Sequence, residues 1–302
     1  MEALPEKKCY SCGELKELSM YRNRAASKDG KVSSCLTCCA ARAAAMYREN
    51  KKSKNNSPLI PGTIFKIKSY GDCEFIGLLK GKCTVRFINT NNIAEFATGN
   101  LRMGLIKDNM AKVVCGVGYI GNGAYVARTT DGCMTPEYSC WQDMLRRCYD
   151  PVDEMTERNY GDCEVSSEWH NFQNFANWCQ GQQGFNTLEA NIDKDILIHG
   201  NRTYGPETCC FVPRHLNAAV TGAKHTNVSG YAGVSETDYG RFTSSITINN
   251  TGVHLGSFGT KEQAFAVYKA MKDVYIQTLA EVYKTQIRKD VYEAVKKWEV
   301  RG

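Results

Sequence analysis

Two Cys-x-x-Cys pairs, Cys9-Tyr-Ser-Cys12 and Cys35-Leu-Thr-Cys38, stand 22 residues apart near the start of this 302-residue chain and constrain it more than any other feature. Each pair brings two thiolates to one ion, and the loop between them lets all four close a tetrahedral zinc site. A segment of about 50 residues has too little apolar surface to fold by burial alone, so the metal would supply most of its folding free energy. Cys9, Cys12, Cys35 and Cys38 are therefore the expected ligands of a structural Zn²⁺, with Cys39 able to stand in for Cys38 and free buried cysteines as the alternative. Between the pairs Asp29-Gly30 marks a hairpin turn, and after them Ala40–Arg48 carries helical propensity. That run leads into a basic linker in which Lys51, Lys52 and Lys54 are placed to clamp phosphate.

The remaining cysteines of the 15 have no such regular spacing, and no secretory signal or membrane-spanning apolar run accompanies them. A reducing compartment with buried thiols and no structural disulfides is expected. The net charge of +6 is uneven: residues 1–55 carry +6, 56–135 carry +4, 136–220 carry −7 and 221–302 carry +3. Basic flanks suit a polyanion and an acidic centre suits a cation, although solvated surfaces would look the same. These four segments are the expected domains. The second, 56–135, alternates apolar and polar residues, as in Thr63-Ile-Phe-Lys-Ile-Lys and Cys83-Thr-Val-Arg-Phe-Ile-Asn, and reads as a small antiparallel β-barrel followed by a glycine-rich hairpin.

In the acidic third segment, Trp141, Leu145 and Cys148 share one helical face, and Trp169, Phe172, Phe175, Ala176 and Cys179 share another. Such aromatic stripes mean core. Beyond them come Asn191-Ile-Asp-Lys-Asp-Ile-Leu-Ile-His-Gly-Asn, a Tyr-Gly-Pro-Glu loop, Cys-Cys-Phe-Val-Pro and Arg214-His-Leu-Asn217: strand, turn, strand, helix. The stretch from Trp141 to Asn217, above all DKDIL, GN, YGPETC and FVP, resembles phage proteins of the HNH and homing-endonuclease class; the N-terminal cysteine pattern with its basic helix likewise resembles the zinc ribbons that open such proteins. The resemblance implies a ββα core that hydrolyses DNA phosphodiesters with one divalent ion such as Mg²⁺, using a histidine as general base. Here Lys194 stands where that histidine would be, between Asp193 and Asp195, which alternation along a strand would place on one face for a shared cation. Asn201 and Asn217 are candidates for the asparagine positions, with Asn201 orienting the loop or ion, and His199 in the turn is the candidate base. Against this, the hairpin would also serve as a scaffold with Asp193 and Asp195 as turn and salt-bridge residues.

From Gly230 the chain reads as three short strands and a helix capped by Thr260, with Ala264, Val267, Tyr268 and Met271 as the apolar stripe over the sheet. The run GVS…GRFTSSITINNTGVHLGSFGTKEQAFAVY resembles the APETALA-type DNA-binding domain, which lays such a sheet into the major groove. Arg241, Thr243, Ser245, Thr247 and Asn249 would face DNA, with Phe242, Ser244, Ile246 and Ile248 inward. Hydroxyls and amides here replace the arginines of that family, which lowers affinity and its salt dependence.

The chain thus reads as an α+β, multidomain protein: zinc ribbon, small β-barrel, ββα HNH-like core, and three-stranded sheet packed on a helix. The expected partner is double-stranded DNA, with no membrane, and the C-terminal helices serve as a cap or as a homodimer surface. The expected location is intracellular, the host cytoplasm if phage-encoded. A DNA endonuclease is the leading functional reading, and a catalytically inactive DNA-binding or regulatory protein built from the same modules is the rival. An RNA-binding or protein-interaction adaptor is a third.

Overall fold

The computed structural model describes residues 6–25, 27–54, 58–185, 190–221 and 229–300, and the chain divides into two compact units, Met1–Asp108 and Asn109–Gly302. Both mix α and β structure around small sheets. Among the described residues no helix is long and apolar enough to cross a membrane.

The first unit opens with a hairpin of β1 (Glu6–Lys8) and β2 (Leu15–Glu17), followed by α1 (Leu36–Lys54), which starts inside the second cysteine pair. The expected basic linker, Lys51 to Pro58, is thus helix as far as Lys54, and residues 55–57 lie outside the described residues. Nothing between Ala40 and Lys54 breaks helical propensity, and no proline follows until Pro58. The side chains of Lys51, Lys52 and Lys54 lie outside the described residues. Next come β3 (Ile64–Ile67), β4 (Gly71–Leu79), β5 (Lys82–Phe87) and β6 (Ile93–Ala97), an antiparallel meander, and α2 (Thr98–Met103). Lys80 and Gly81 both take positive φ (50° and 78°), the two-residue turn whose twist matches that of its strands.

The barrel expected here is an open four-stranded sheet, with β3 and β6 unpaired to each other among the described residues. One face suffices: Cys73, Phe75, Cys83, Val85 and Phe87 point to a core that Leu101 and Ile106 close from the side. The buried Asp108 carboxylate ends the unit, accepting from Thr90 Oγ1 (2.6 Å) and Asn92 Nδ2 (2.8 Å).

Residues 109–135, expected with the β segment, belong instead to the second unit. The reason is close packing. Gly118 lies against Trp141 and Leu145, and a Cβ there would come within 2.9 Å of the indole. On either side, Tyr119 N–H donates to His170 O, while Gln173 Nε2 donates to the carbonyls of Ile120 (3.1 Å) and Tyr125 (2.9 Å).

After this segment come α3 (Pro136–Tyr149), α4 (Glu154–Tyr160), β7 (Glu164–Val165), a 3₁₀ turn at Ser167–His170 and α5 (Phe172–Gln180). The aromatic stripes of α3 and α5 meet as expected, with Trp141, Phe172, Trp169 and Phe175 fully buried and Trp141 Nε1 donating to Trp169 O at 2.6 Å. Then β8 (Ala190–Asp193), β9 (Thr203–Tyr204), β10 (Cys210–Pro213) and α6 (Arg214–Val220) follow. β8 pairs antiparallel with β10, which runs straight into α6, so the strand, strand, helix order is realised. β9 pairs in parallel with β7.

The chain closes with β11 (Val234–Glu236), β12 (Phe242–Ile248), β13 (Thr251–Phe258), α7 (Lys261–Tyr283) and α8 (Lys289–Lys296). Asn249 and Asn250, both at positive φ, turn β12 into β13. Thr260 caps α7 by accepting from Gln263 N–H. Ala264 and Tyr268 are buried under the sheet, but Met271 is not: the buried face runs in steps of four through Tyr268, Lys272 and Ile276 to Ala280. The second half of α7 leaves the sheet and packs Ile276, Leu279 and Ala280 against Leu216 and Ala219 of α6 and Val291 and Val295 of α8. One helix therefore serves the three-stranded sheet and the ββα element together, and the boundary expected at residue 220 separates no compact units.

Ile276→Ala should accordingly lower stability by about 2–5 kcal/mol, whereas Val274→Ala on the exposed side of the same turn should change it by under about 0.5 kcal/mol, measured by urea unfolding.

Candidate functional site

Cys9, Cys12, Cys35 and Cys38 place their sulfur atoms within 4.8 Å of one another, in keeping with the roughly 3.8 Å spacing that Zn–S bonds of about 2.3 Å require. The hairpin and the start of α1 supply one pair each. Cys35 N–H donates to Cys9 Sγ at 3.3 Å, and Tyr10 N–H donates to Ser33 O, so the backbone of each knuckle steadies the other. Ser11 Oγ lies 2.8 Å from Ser34 Oγ and accepts from Arg42 Nη2 of α1. Cys39 is not a member: its thiol donates to Ser34 O.

Electrostatics suit a cation. The backbone N–H groups of Cys35 and Cys12 hold the Cys9 thiol down at about 6, while the neighbouring Cys35 sulfur, before burial, pushes Cys38 up to about 12. Four adjacent thiolates cannot all ionise unless a dication offsets them. The soft four-sulfur set fits a metal such as zinc, which these four residues could hold.

The carboxylates expected to hold Mg²⁺ are arranged differently. β8 ends at Asp193, so the two-residue alternation stops before Asp195 and the pair does not share a strand face. Buried Asp193 folds its Oδ1 back to accept from the N–H groups of Asp195 (2.8 Å) and Ile196 (2.7 Å). Burial pushes its carboxyl up, and those two N–H groups pull the other way. Lys194 is 5% exposed and donates to both oxygens of Asp195 (3.1 and 2.9 Å) and to Asn201 O (2.8 Å), with its ammonium 5.8 Å from the Tyr204 ring centroid. Asn201 staples the loop, donating to Lys194 O and Thr203 O and accepting from Thr203 N–H. Exposed His199 stands edge-on to Trp298, ring centroids 5.5 Å apart. Among the described residues the four cysteines are the one group of three or more histidine, cysteine or acidic side chains gathered for a metal; Asp193, Asp195 and His199 form none.

A cleft of about 610 Å³ opens beside the ββα element instead, walled by Asp143 and Arg147 of α3, Tyr160, Asn191 of β8 and Asn217 of α6. Asn217 was legible as a polar position on the helix; Asp143 and Arg147 were not, because nothing local distinguishes them from the polar side of an amphipathic helix. Most of the scattered cysteines are buried thiols, with Cys148 and Cys209 each pushed up to about 12 by burial, but Cys133 is exposed and Cys115 and Cys140 are half-buried.

On the three-stranded sheet, Arg241, Ser245, Thr247 and Asn249 are exposed, and Thr243 is half-buried with its hydroxyl donating to Ser235 O. Ser244 and Ile246 face inward. Register sets His254 opposite Ser245 and Ser257 opposite Thr243, extending the outer face with an imidazole and a further hydroxyl. Arg241 Nη2 donates to Ser257 O, and Asn249 Oδ1 accepts from the Tyr275 hydroxyl.

Compared with protein-family models, curated proteins and solved structures, the chain matches none.

Cys35→Ser should remove the bound metal and unfold the hairpin, whereas Cys39→Ser should retain one equivalent; metal analysis after gel filtration and circular dichroism with and without chelator distinguish the two.

Proposed function

We propose that this chain is a modular, zinc-containing DNA-binding protein in which the three-stranded sheet reads duplex DNA and the ββα element supports it. The observation that carries the reading is the outer face of β12 and β13. It is open and built of short hydroxyl and amide side chains, with Arg241 as its cation and the His254 imidazole beside them. Serine, threonine and asparagine donate to phosphate oxygens and base edges without the volume that would keep a sheet out of a groove. With so few cations the electrostatic share of affinity is small, so a basic helix elsewhere in the chain, α1 with Arg42, adds affinity through linkage.

The ββα element supports binding better than hydrolysis. Asp193 is spent on a backbone turn, and Lys194, paired with Asp195, occupies the place of a general base without free lone pairs. One observation favours the second reading, a metal-dependent DNA endonuclease: the cleft beside β8 and α6 brings Asp143 near Asn191 and Asn217. Under that reading an ion such as Mg²⁺ would be held there by a carboxylate and amide oxygens.

The purified chain should shift duplex DNA in a gel without added Mg²⁺, and Arg241→Ala combined with Thr247→Ala should weaken binding about 10-fold while leaving the fold intact. Supercoiled DNA incubated with Mg²⁺ or Mn²⁺ should stay uncut. Metal-dependent nicking that disappears in Asp193→Ala/Asp195→Ala or in Asp143→Asn would establish the endonuclease instead, and preference for single-stranded RNA would displace both readings.

A further inference from the structure

Lys272 lies on the buried face of α7, four residues after Tyr268 and four before Ile276, and is only 8% exposed. Among the described residues nothing accepts from its ammonium and no carboxylate pairs with it. The nearest acidic residue in sequence, Asp273, is occupied by Lys269 Nζ (2.9 Å) and by the N–H of Val300 (3.0 Å). The stem of the side chain is buried while its ammonium still meets solvent, so the charge is tolerated there without a protein partner and stays available to a ligand. Burial pushes the ammonium below the usual lysine range.

Lys272 forms part of the wall of an open cavity of about 420 Å³ between α6, β12 and α7. Around it stand His215, Thr221, Thr247, Asn249 and Asn250: an imidazole, two hydroxyls and two amides, brought together from α6, the end of β12 and the turn after it. Among the described residues no aspartate or glutamate lines the cavity. Ala219, Ile246 and Tyr268 give the rest of the wall an apolar character. An unpaired cation in the wall, several neutral donors, no carboxylate among the described lining residues and a volume well beyond that of one ion describe a site for an anionic group carried on an organic body.

We propose that this cavity binds a phosphate group, with the Lys272 ammonium as its counter-charge and His215, Asn249 and Asn250 as the surrounding donors; the Thr221 hydroxyl already donates to Asn217 O. A tetrahedral phosphate offers acceptor oxygens in several directions, matching donors that arrive from three separate elements, whereas a planar carboxylate would leave some of them unmet. The phosphate belongs either to a free mononucleotide or to a nucleic-acid strand crossing the rim at Ser245 and Thr247. The inference does not depend on duplex recognition by the outer face of the sheet.

The test is thermal unfolding of the full chain with inorganic phosphate, a deoxynucleoside 5′-monophosphate, the same deoxynucleoside without phosphate, and a short DNA duplex, each beside Lys272→Met. Methionine keeps the length and apolar stem of the side chain, so the unliganded variant should melt at the same temperature or higher. For the native chain, inorganic phosphate and the monophosphate should raise the melting temperature and the bare nucleoside should not. In Lys272→Met the apparent phosphate affinity should fall at least 10-fold. Stabilisation by the duplex alone, lost in Lys272→Met but kept in Arg241→Ala, would also support the site and assign its phosphate to a nucleic-acid backbone. If Lys272→Met does not fold, amide shifts of Asn249 and Asn250 on titrating phosphate into the native chain, absent in His215→Ala, carry the same decision. Equal stabilisation of the native chain and the variant, or none by any phosphate-bearing ligand, would overturn the proposal.

Discussion

The contact on which the second unit depends is the four-residue-spaced face of α7. Tyr268, with Phe265 and Tyr275 beside it, packs against Ile246, Ile248 and Leu255 of the three-stranded sheet, and Ile276, Leu279 and Ala280 pack against α6 and α8. A sheet of three short strands has one face to bury and no stability without it. Because the same helix then docks on the ββα element, the polar outer face of β12 and β13 is held on a packed body and not on a flexible tether. That rigidity matters for recognition by short side chains, which have little reach with which to correct a misplaced backbone. The first unit has the same shortage of core around its β1–β2 hairpin, where among the described residues Cys9, Tyr21 and Cys35 are buried together, and a metal on the four cysteines would supply the missing cohesion.

Much of this architecture was legible because the signals were local. The two Cys-x-x-Cys pairs meet at one point, Thr260 caps its helix, and strict alternation from Phe242 to Ile248 puts Ser244 and Ile246 inside. The strand, strand, helix order around Asp193 and Phe211 follows from turn residues and apolar runs alone. Where local rules failed, a nonlocal contact had intervened. Glycine-rich residues 109–135 looked like an appendage of the β segment, but Gly118 is a landing place for Trp141, which only the folded chain reveals. The stripe of α7 was followed to Met271 because a methionine fits an apolar pattern, and the lysine beside it does not; in fact Lys272 takes the buried position.

The candidate catalytic residues show the same limit more sharply. Alternation placed Asp193 and Asp195 on one face only if the strand continued, and a single aspartate bonding two backbone N–H groups ends it. Lys194 then turns inward to Asp195 and to the carbonyl of Asn201, making a closed polar cluster of the residues that sequence had marked for an ion. Such a cluster rigidifies a loop, since each buried polar group has its partner. On the proposed reading the sheet that α7 holds beside it, and not the ββα hairpin, would carry recognition, while the Asp143, Asn191 and Asn217 cleft is where phosphodiester chemistry would be sought.

Hydrogen–deuterium exchange of the full chain with and without a saturating DNA duplex tests this account most directly. It predicts slowed exchange across Arg241–Phe258 and unchanged exchange across Asp193–Asn201. Protection confined to the ββα loop, with the sheet unaffected, would contradict it.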